Sequence, residues 1–390
     1  MSDDKNTTGG ERMDGLRSEI DTLDSELLAL LNRRARCSLE VGRVKADAKD
    51  LIFKPFREKE VMAKLLQAST GPLPEDHLRA IYREIFSSSR RLQRPQQVAY
   101  LGPEGTFSYF AGVEFLGHSV DFIPMPGLPD VFQAVSSGET ELGIIPLENS
   151  LHGTVGQSLD LFLRHEVFIL SELFCKISHN VLSQAKHLAD VKTVYSHPQP
   201  LAQCERWLRN NLPSAKLIPT ESTAAAAVRV QDDPEAAAIG HKSLAAMFGL
   251  TILAGGVEDL PDNWTRFVVI GRKQTAEGHR DKTSMLFTLP DKPGSLVNVL
   301  SVIATQGINM KKLESRPIRG EKWKYVFFVD VECDLSLEEY SKAMAEVADN
   351  CHTMRILGSY PAGPSLDMSS NAGDSDERIT AAAATLEIER

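Results

Sequence analysis

Side chains able to do chemistry lie together in the stretch Asp262-Asn263-Trp264-Thr265-Arg266-Phe267, which runs directly into the apolar segment Val268-Val269-Ile270. A strand fixes the backbone and the loop at its mouth exposes side chains, so polar residues there are well placed to meet a ligand. The Thr265 hydroxyl and the Arg266 guanidinium suit hydrogen bonding and anion binding. Taken alone, the stretch fits an ordinary turn with a surface arginine equally well.

Four further polar clusters precede this stretch, and each follows a short apolar run. They are Gly102-Pro103-Glu104-Gly105-Thr106-Phe107-Ser108, Pro146-Leu147-Glu148-Asn149-Ser150, Tyr195-Ser196-His197-Pro198-Gln199-Pro200 and Glu221-Ser222-Thr223. With the Thr265-Arg266-Phe267 triplet, their order and spacing closely resemble prephenate dehydratase, the enzyme that makes phenylpyruvate on the way to phenylalanine. The resemblance implies two α/β lobes with the ligand in the cleft between them, a plan shared with periplasmic binding proteins.

The pattern of residues 97–272 favours the same class of fold. Short apolar runs alternate with helical patterns, which predicts an α/β domain with mainly parallel strands. We expect the lobes to divide near Phe174, with the last strand, residues 267–270, crossing back to the first lobe.

Dehydration of prephenate expels the ring carboxylate as carbon dioxide and the ring hydroxyl as water. The resemblance points to Thr265 as the group that contacts this hydroxyl. Because a Thr hydroxyl is a very weak acid, we expect it to donate a hydrogen bond. Arg266 is expected to anchor a carboxylate. The remaining candidates for substrate binding are Thr106, Glu148, Asn149, Ser150, His197, Gln199, Ser222, Thr223 and Phe267.

Some of these candidates have two interpretations. Thr106 and Ser222 stand where helices are expected to begin, so they could favour a bound anion or simply cap the helix, and the two roles are compatible. His197 has an ordinary pKa near neutrality and could supply a proton, or it could hold the turn before Pro198.

Residues 12–95 predict an all-helical domain. Leu16, Ile20, Leu23 and Leu27 begin a period of three and four residues that continues to Val44, which indicates one long helix from about residue 11 to 49. Pro55 interrupts the pattern. Further helices are expected over residues 57–69 and 75–93.

Basic residues of this domain indicate an anionic ligand. Residues 16–95 hold 16 Lys and Arg against 12 Asp and Glu, although the whole chain has a net charge of −10. At 100° per residue Arg34 and Lys45 lie about 20° apart, whereas Arg17 is rotated from Arg34 by about 100°. If all three serve one site, Arg17 must come from a partner chain, which predicts an intertwined dimer. A solvated basic face is the alternative.

The same residues resemble those of the all-helical chorismate mutases. The resemblance implies a substrate site lined by Arg17, Arg34, Lys45, Arg57, Glu58, Ser89 and Gln93. The rearrangement of chorismate to prephenate moves no proton, so the arginines would hold two carboxylates and Lys45 and Gln93 would donate to the ether oxygen. Gln93 is an amide and donates at any pH. Lys54 stands where chorismate mutases of this family often have Asp. The loop that closes over the substrate hydroxyl is therefore in question.

Residues 282–361 follow the order strand, helix, strand, strand, helix, strand, which predicts a ferredoxin-like α+β fold. Two segments resemble the ACT domain, a regulatory amino-acid-binding domain. That resemblance implies phenylalanine bound between two such domains and feeding back on activity; a purely structural dimerisation module is the alternative. The implied binding residues are Gly294, Ser295, Leu296, Val297, Glu314, Ser315, Arg316 and Pro317.

Composition limits the remaining classes of function. The net charge of −10 argues against nucleic-acid binding. The sequence contains no run of about 18 apolar residues, so we expect no membrane span. Five scattered Cys and a polar N-terminus favour a cytoplasmic protein. Residues 362–390 are rich in Ser, Ala, Gly and acids, which predicts a disordered tail.

The sequence therefore predicts a cytoplasmic, bifunctional enzyme of phenylalanine biosynthesis that needs no metal or organic cofactor. Its expected ligands are chorismate, prephenate and L-phenylalanine, and its expected assembly is a homodimer, with a tetramer as the larger alternative. Two other readings stay open: only one catalytic domain is active, or the protein is a non-catalytic sensor. Acceptance of arogenate in place of prephenate is also left open.

Overall fold

The computed structural model describes residues 4–48, 51–274, 277–318 and 324–367. Three units follow one another along the chain: a helical domain, a two-lobed α/β domain and a smaller α+β domain. None of the described helices is both long enough and apolar enough to cross a membrane.

The helical domain contains α1 (Asp4–Ala48), α2 (Pro55–Ala68) and α3 (Glu75–Gln93). Pro55 begins α2 rather than only ending the preceding pattern, because its fixed φ suits a first helical turn and its missing N–H would have no partner there. The C-terminal part of α1 packs closely on α3: a Cβ added at Gly42 would lie 2.8 Å from the Gln93 Cα.

The N-terminal half of α1 has no such packing against the described residues. Leu16, Ile20, Leu23 and Leu27 are each about half exposed, on the face that the heptad-like spacing makes apolar. We call these four residues the apolar stripe of α1.

The first lobe is built on a sheet with the strand order β16-β5-β11-β3-β1-β2 and β4 beside β3. Its elements are β1 (Gln97–Leu101), α4 (Phe107–Leu116), β2 (Asp121–Met125), α5 (Leu128–Ser137), β3 (Leu142–Asn149), β4 (Gly153–Thr154), α6 (Gly156–Phe162), β5 (Phe168–Lys176), β11 (Trp264–Gly271) and β16 (Ser365–Asp367).

The second lobe has the strand order β10-β6-β9-β7-β8. Its elements are β6 (Asn180–Ser183), β7 (Thr193–Ser196), α7 (Pro198–Gln203), α8 (Glu205–Asn211), β8 (Lys216–Pro219), α9 (Thr223–Val230), β9 (Ala236–Gly240), α10 (Ser243–Phe248) and β10 (Thr251–Gly255).

The chain passes between the lobes twice, after β5 and after β10. The division therefore falls between residues 176 and 180, a few residues beyond the position expected from the sequence. The prediction that the last strand returns to the first lobe is confirmed by β11, which lies between β3 and β5. Because β11 runs antiparallel to both neighbours, and β6 runs antiparallel to β9 and β10, the sheets are mixed rather than mainly parallel.

The third domain has the expected ferredoxin-like order of elements. They are β12 (Lys282–Thr288), α11 (Ser295–Thr305), β13 (Met310–Pro317), β14 (Tyr325–Val331), α12 (Ser341–Asp349) and β15 (Thr353–Tyr360), and the sheet order is β13-β14-β12-β15. One face of the sheet packs on α11 and α12. The other face shares a hydrophobic cluster with the first lobe, in which Leu286, Phe328 and Leu357 join Val268 and Ile270.

The prediction that the disordered tail begins at residue 362 is wrong for the first residues of that segment. Residues 365–367 form β16, which pairs in parallel with β5, and Leu366 packs against the core of the two-lobed domain. β5 offers unpaired backbone groups at the edge of the sheet, and the core offers a contact for Leu366. Composition alone reveals neither of these partners. Residues 368–390 lie outside the described part of the chain.

The loop before α2 joins the helical domain to the other two. Phe53 and Phe56 are buried, and Lys54 forms an ion pair of 2.8 Å with Glu277, just before the third domain. Lys59 pairs with Asp281 at 2.9 Å in the same connection. Lys54, the departure noted in the sequence, therefore contacts the link between the second and third units.

Candidate functional site

Thr265 lies near the start of β11, where strand pairing sets it opposite Asn149 on β3. The Asn149 Nδ2 donates to Thr265 Oγ1 at 3.0 Å and to Asn263 Oδ1 at 2.7 Å. The Asn149 Oδ1 accepts the backbone N–H groups of Leu151 and His152, at 3.1 and 3.0 Å, so the amide is held in one orientation. Since Thr265 Oγ1 accepts from Asn149, its own proton can be donated elsewhere.

Ser150 ties the same two strand ends together. Its hydroxyl donates to the Asp262 carbonyl at 3.0 Å and accepts from the Trp264 N–H at 2.9 Å. The Ser150 N–H in turn bonds to the Trp264 carbonyl at 2.8 Å. Ser150 therefore fixes the backbone beside Thr265.

Arg266 points away from Thr265 because successive side chains of a strand alternate between its two faces. Its guanidinium donates to Glu172 at 2.7 Å, to Asp330 at 2.5 Å and to the Tyr360 hydroxyl at 2.9 Å. Burial alone would lower the pKa of Arg266, but Tyr360, Asp330 and Glu172 outweigh it and raise the pKa. The prediction that Arg266 anchors a substrate carboxylate is corrected, since its donors are directed at Glu172 of the first lobe and at Asp330 and Tyr360 of the third domain.

Glu148 also faces away from the cleft, and Phe267 is part of the core. The Glu148 carboxylate pairs with Lys312 of the third domain at 2.9 Å. Phe267 is 2% exposed and belongs to the hydrophobic core of the two-lobed domain. The stretch around Thr265 thus combines one residue for the cleft with neighbours that hold the domain together.

Two hydroxyl residues begin helices, as the sequence predicts. Thr106 Oγ1 accepts from the Tyr109 N–H at 3.4 Å before α4, and Ser222 Oγ accepts from the Ala225 N–H at 3.0 Å before α9. Their interpretation as helix caps is confirmed. A Cβ added at Gly105 would lie 3.2 Å from the Ala224 Cβ, so these two helix starts, one from each lobe, approach each other closely. Thr223 is the buried first residue of α9.

His197 caps α7 by accepting the Gln199 N–H on Nδ1 at 3.3 Å. Burial lowers the pKa of His197, so the ring is neutral near pH 7. The contact and the direction of this shift favour the structural interpretation over an acid role, and Gln199 itself is exposed.

In the helical domain Arg34, Ser89 and Gln93 meet between α1 and α3. Arg34 donates to the Ser89 hydroxyl and, at 3.4 Å, to the Ile85 carbonyl. The Gln93 Nε2 donates to the Ser89 carbonyl at 3.2 Å, while its Oε1 is buried and has no hydrogen-bond partner in the part of the chain that the structure describes. Lys45 donates to the Ile52 carbonyl at 3.3 Å.

The other candidates of this domain are more dispersed. Glu58 pairs with Arg90, which is buried and also donates to the Leu116 carbonyl of the two-lobed domain. Arg57 faces solvent and pairs with Glu60 at 3.2 Å. Arg17 is exposed, pairs with Asp14 at 3.4 Å, and lies roughly 25 Å along α1 from Arg34 at 1.5 Å per residue. A single chain therefore does not bring Arg17 to the other candidates.

The candidates of the third domain divide between two surfaces. Gly294 has a φ of +84° and precedes α11, Ser295 begins that helix, and Leu296 packs on the domain core while Val297 is exposed. On β13 the side chains of Glu314 and Arg316 face the first lobe, where Glu314 contacts Thr154 and Arg316 lies 3.4 Å from Asp160. Ser315 and Pro317 are exposed on the opposite side.

Three family models match successive parts of the chain: chorismate mutase type II over residues 16–94, prephenate dehydratase over residues 98–275 and ACT domain over residues 283–349. A bifunctional chorismate mutase/prephenate dehydratase of Aquifex aeolicus is 40% identical over 355 residues, covering 90% of this chain and 98% of that protein. The chain belongs to the bifunctional chorismate mutase/prephenate dehydratase family. The prediction of an enzyme with both catalytic domains is confirmed.

Two solved structures resemble more than two thirds of the chain. Prephenate dehydratase of Arthrobacter aurescens in complex with L-Phe is 30% identical with a TM-score of 0.62, covering 75% of this chain and 98% of that chain. GqqA, described as a novel type of quorum quenching acylase, is 29% identical with a TM-score of 0.62, covering 68% of this chain and 98% of that chain. One fold thus carries two named activities, so the reaction must be argued from side chains.

The sequence did not reveal the partners on the ACT side of the dehydratase. Glu172 on β5 and Asp330 on β14 are acids within mostly apolar strands, and both are buried. A lone acid in such a strand must find a cation or a donor, which is a usable signal. The sequence does not say which cation, because Arg266 and Lys282 are distant in the chain.

Proposed function

We propose that the dehydratase domain converts prephenate to phenylpyruvate in the cleft, with Thr265 donating a hydrogen bond to the departing ring hydroxyl. The observation that carries this proposal is the hydrogen bond from Asn149 to Thr265 Oγ1. It occupies one acceptor position of the hydroxyl and leaves the proton for the substrate. Aromatisation drives the loss of water and carbon dioxide, so positioning and polarisation are what the site must supply.

The substrate carboxylates need positive partners, and Arg266 is directed elsewhere. The starts of α4 and α9 carry unpaired backbone N–H groups and the positive ends of helix dipoles, which favour an anion. Their close approach, measured at Gly105 and Ala224, supports a shared carboxylate site between the lobes. Thr106, Ser222 and Thr223 would belong to it.

The mutase site is proposed to form between two chains. Arg34, Ser89, Gln93 and Lys45 come from one chain, and Arg17 comes from the α1 of a second copy. The apolar stripe of α1 supports this assembly, because four large apolar residues at helical spacing would otherwise face water. Chorismate would be held by its carboxylates, and the buried Gln93 amide and Lys45 would donate to the ether oxygen.

L-Phenylalanine is proposed to bind the ACT domain and inhibit the dehydratase. Thr288 at the end of β12 pairs with Val326, and Val326 pairs with Arg316 near the end of β13. The chain leaves β12 at this end of the sheet and enters α11 through the left-handed turn at Gly294, so the start of α11 lies on the side where β13 ends. The L-Phe complex of the Arthrobacter aurescens protein supports this ligand. We further assign the enzyme to the cytoplasm as a homodimer; arogenate is the alternative substrate of the cleft.

The role of Thr265 is tested by following chorismate loss and phenylpyruvate formation in separate assays of wild type, Thr265→Ala and Thr265→Ser. We expect Thr265→Ala to consume chorismate at the wild-type rate, accumulate prephenate, and form phenylpyruvate at least about 100-fold more slowly. Thr265→Ser keeps the hydroxyl and should retain much of the activity. Wild-type phenylpyruvate formation by Thr265→Ala would overturn the proposal.

A further inference from the structure

Two adjacent strands of the dehydratase each place one side chain towards the cleft and the next towards the ACT domain. On β3 these are Asn149 and Glu148, and on β11 they are Thr265 and Arg266. The two pairs are in register, with Thr265 opposite Asn149 and Arg266 opposite Glu148. Thr265 and Asn149 share the hydrogen bond that orients Thr265, and their neighbours Arg266 and Glu148 contact the ACT sheet.

The contacts on the ACT side are buried and ionic. Arg266 bonds to Asp330 and Tyr360, and Lys282 lies 2.8 Å from Glu172 and 3.8 Å from Asp330. Two cations thus face two carboxylates out of water. Because a buried charge that loses its partner is strongly disfavoured, a displacement of Asp330 must draw Arg266 with it.

A second connection starts on β13, the strand that carries Glu314 to Pro317. Lys312, on the same face as Glu314, donates to Thr154 at 2.8 Å and pairs with Glu148 at 2.9 Å. Glu148 also lies 3.8 Å from Arg266, which joins the two connections. A small cavity beside them, lined in part by Arg266, Lys312 and Asp330, leaves the interface room to rearrange.

An irregularity in strand pairing separates the start of β11 from the rest of the strand. The pairing of β11 with β3 shifts register between Arg266 and Phe267, which is a bulge-like irregularity. Trp264 to Arg266 lie before the irregularity and stay paired with β5, and Thr265 and Arg266 are buried like the residues that follow. Bulges redirect a side chain without disturbing the strand that follows.

We propose that Arg266 and Glu148 are positioning residues that transmit the state of the ACT domain to the Asn149–Thr265 hydrogen bond. This inference rests on the proposed roles of Thr265 and of phenylalanine. A shift of the ACT sheet on binding phenylalanine moves Asp330 and Lys312, these draw Arg266 and Glu148, and the adjacent Thr265 and Asn149 lose their alignment.

Lys312 and its neighbour Lys311 provide a matched test. Both are on β13, but Lys311 is exposed and pairs with Glu332, whereas Lys312 reaches the dehydratase. Dehydratase activity of full-length Lys312→Met and Lys311→Met is measured with added prephenate over a phenylalanine titration, and phenylalanine binding is measured by calorimetry without prephenate. We expect Lys312→Met to bind phenylalanine as wild type does while the maximal inhibition falls about fivefold, and Lys311→Met to behave as wild type.

Tyr360→Phe is the second variant, because it removes one hydrogen bond to Arg266 and keeps the shape of the buried ring. It too should bind phenylalanine and be inhibited less. Equal inhibition of all three variants and wild type would overturn the inference while leaving the proposed function intact. If wild type neither binds phenylalanine nor is inhibited by it, the regulatory part of the proposed function fails instead.

Discussion

The two candidate active sites differ in how they are completed. The Thr265 site is assembled from strand ends of one chain, with Asn149, Ser150 and Asn263 held by strand pairing and side-chain hydrogen bonds. Three mutase candidates, Arg17, Arg34 and Lys45, stand on α1, whose N-terminal half is exposed and has no packing partner among the described residues. Sheet pairing closes a site within one fold, whereas a single long helix can only be closed by another copy.

The largest expected effect separates the two sites. Arg34→Ala removes a guanidinium from the mutase site and should slow chorismate consumption at least about 100-fold, because charge-assisted contacts to carboxylates position the substrate. With prephenate supplied, phenylpyruvate formation should match wild type. A parallel loss of both activities would show that the sites are not independent.

A charge on the apolar stripe tests whether a second copy covers it. Leu23→Glu should dissociate the dimer and lower mutase activity about tenfold or more, since an unpaired carboxylate cannot be buried in the interface. Dehydratase activity with added prephenate should change by less than about twofold, in keeping with ordinary surface substitutions. Light scattering reports the mass of the particle.

Val228→Glu is the control for that experiment, because Val228 is also a large exposed apolar residue but lies on α9 of the second lobe. It should leave both the mass and the mutase activity unchanged. A dimer that survives Leu23→Glu would mean that the stripe is covered by something else.

A smaller effect concerns how the mutase residues are held to the rest of the chain. Arg90 is buried between Glu58 and the Leu116 carbonyl, so Arg90→Met should cost about 2–3 kcal/mol of stability by leaving those groups without their donor. Arg91 forms an exposed ion pair of 2.6 Å with Asp121, so Arg91→Met should cost less than about 1 kcal/mol. Thermal unfolding compares the two. Equal melting temperatures would contradict the buried link.

The smallest effect is a pH dependence of the dehydratase fold. His179 lies on the first passage between the lobes and bonds to Gln203 at 2.7 Å. Burial lowers the pKa of His179 from its usual 6.5, although Gln203 and Glu258 oppose the shift. Neutral His179 therefore stabilises the fold fully above about pH 6.5, and this contribution is lost as the pH falls through the lowered pKa, by at most about 1.4 kcal/mol per pH unit.

Calorimetry at pH 7.5 and pH 5 should accordingly show a steeper fall in melting temperature for wild type than for His179→Gln, in which this titration is absent. His352 is exposed and lies in the third domain, so His352→Gln serves as the control and should keep the wild-type slope. Identical slopes for wild type and His179→Gln would contradict the assignment.

Much of the architecture follows from periodicity and motif spacing. The third helix, the order of elements in the third domain and the return of β11 to the first lobe are as predicted, because each has a clear helical or alternating pattern. Thr265 and Asn149 were both selected from motifs, and the structure joins them by a hydrogen bond. The prediction for Arg266 failed for a local reason: the strand was expected to begin at residue 267.

A strand that begins at residue 267 leaves residues 265 and 266 in a loop. The directions of their side chains then cannot be predicted from strand alternation. In the structure β11 begins at Trp264, so alternation sends the two side chains to opposite faces. The identity of the partners needed the tertiary fold. Nothing local pairs Arg266 with Asp330 or Glu148 with Lys312, because those residues are brought together only when the ACT sheet packs on the first lobe.

The difference between a shared and a self-contained site is tested most directly by mixing variants under conditions where subunits exchange. Arg17→Ala and Arg34→Ala, each inactive alone, should together recover about a quarter of wild-type mutase activity, because half of the dimers are mixed and each holds one intact site. Thr265→Ala mixed with Asn149→Ala should recover no dehydratase activity. Absence of mutase recovery despite demonstrated exchange, or recovery of the dehydratase, would contradict the account.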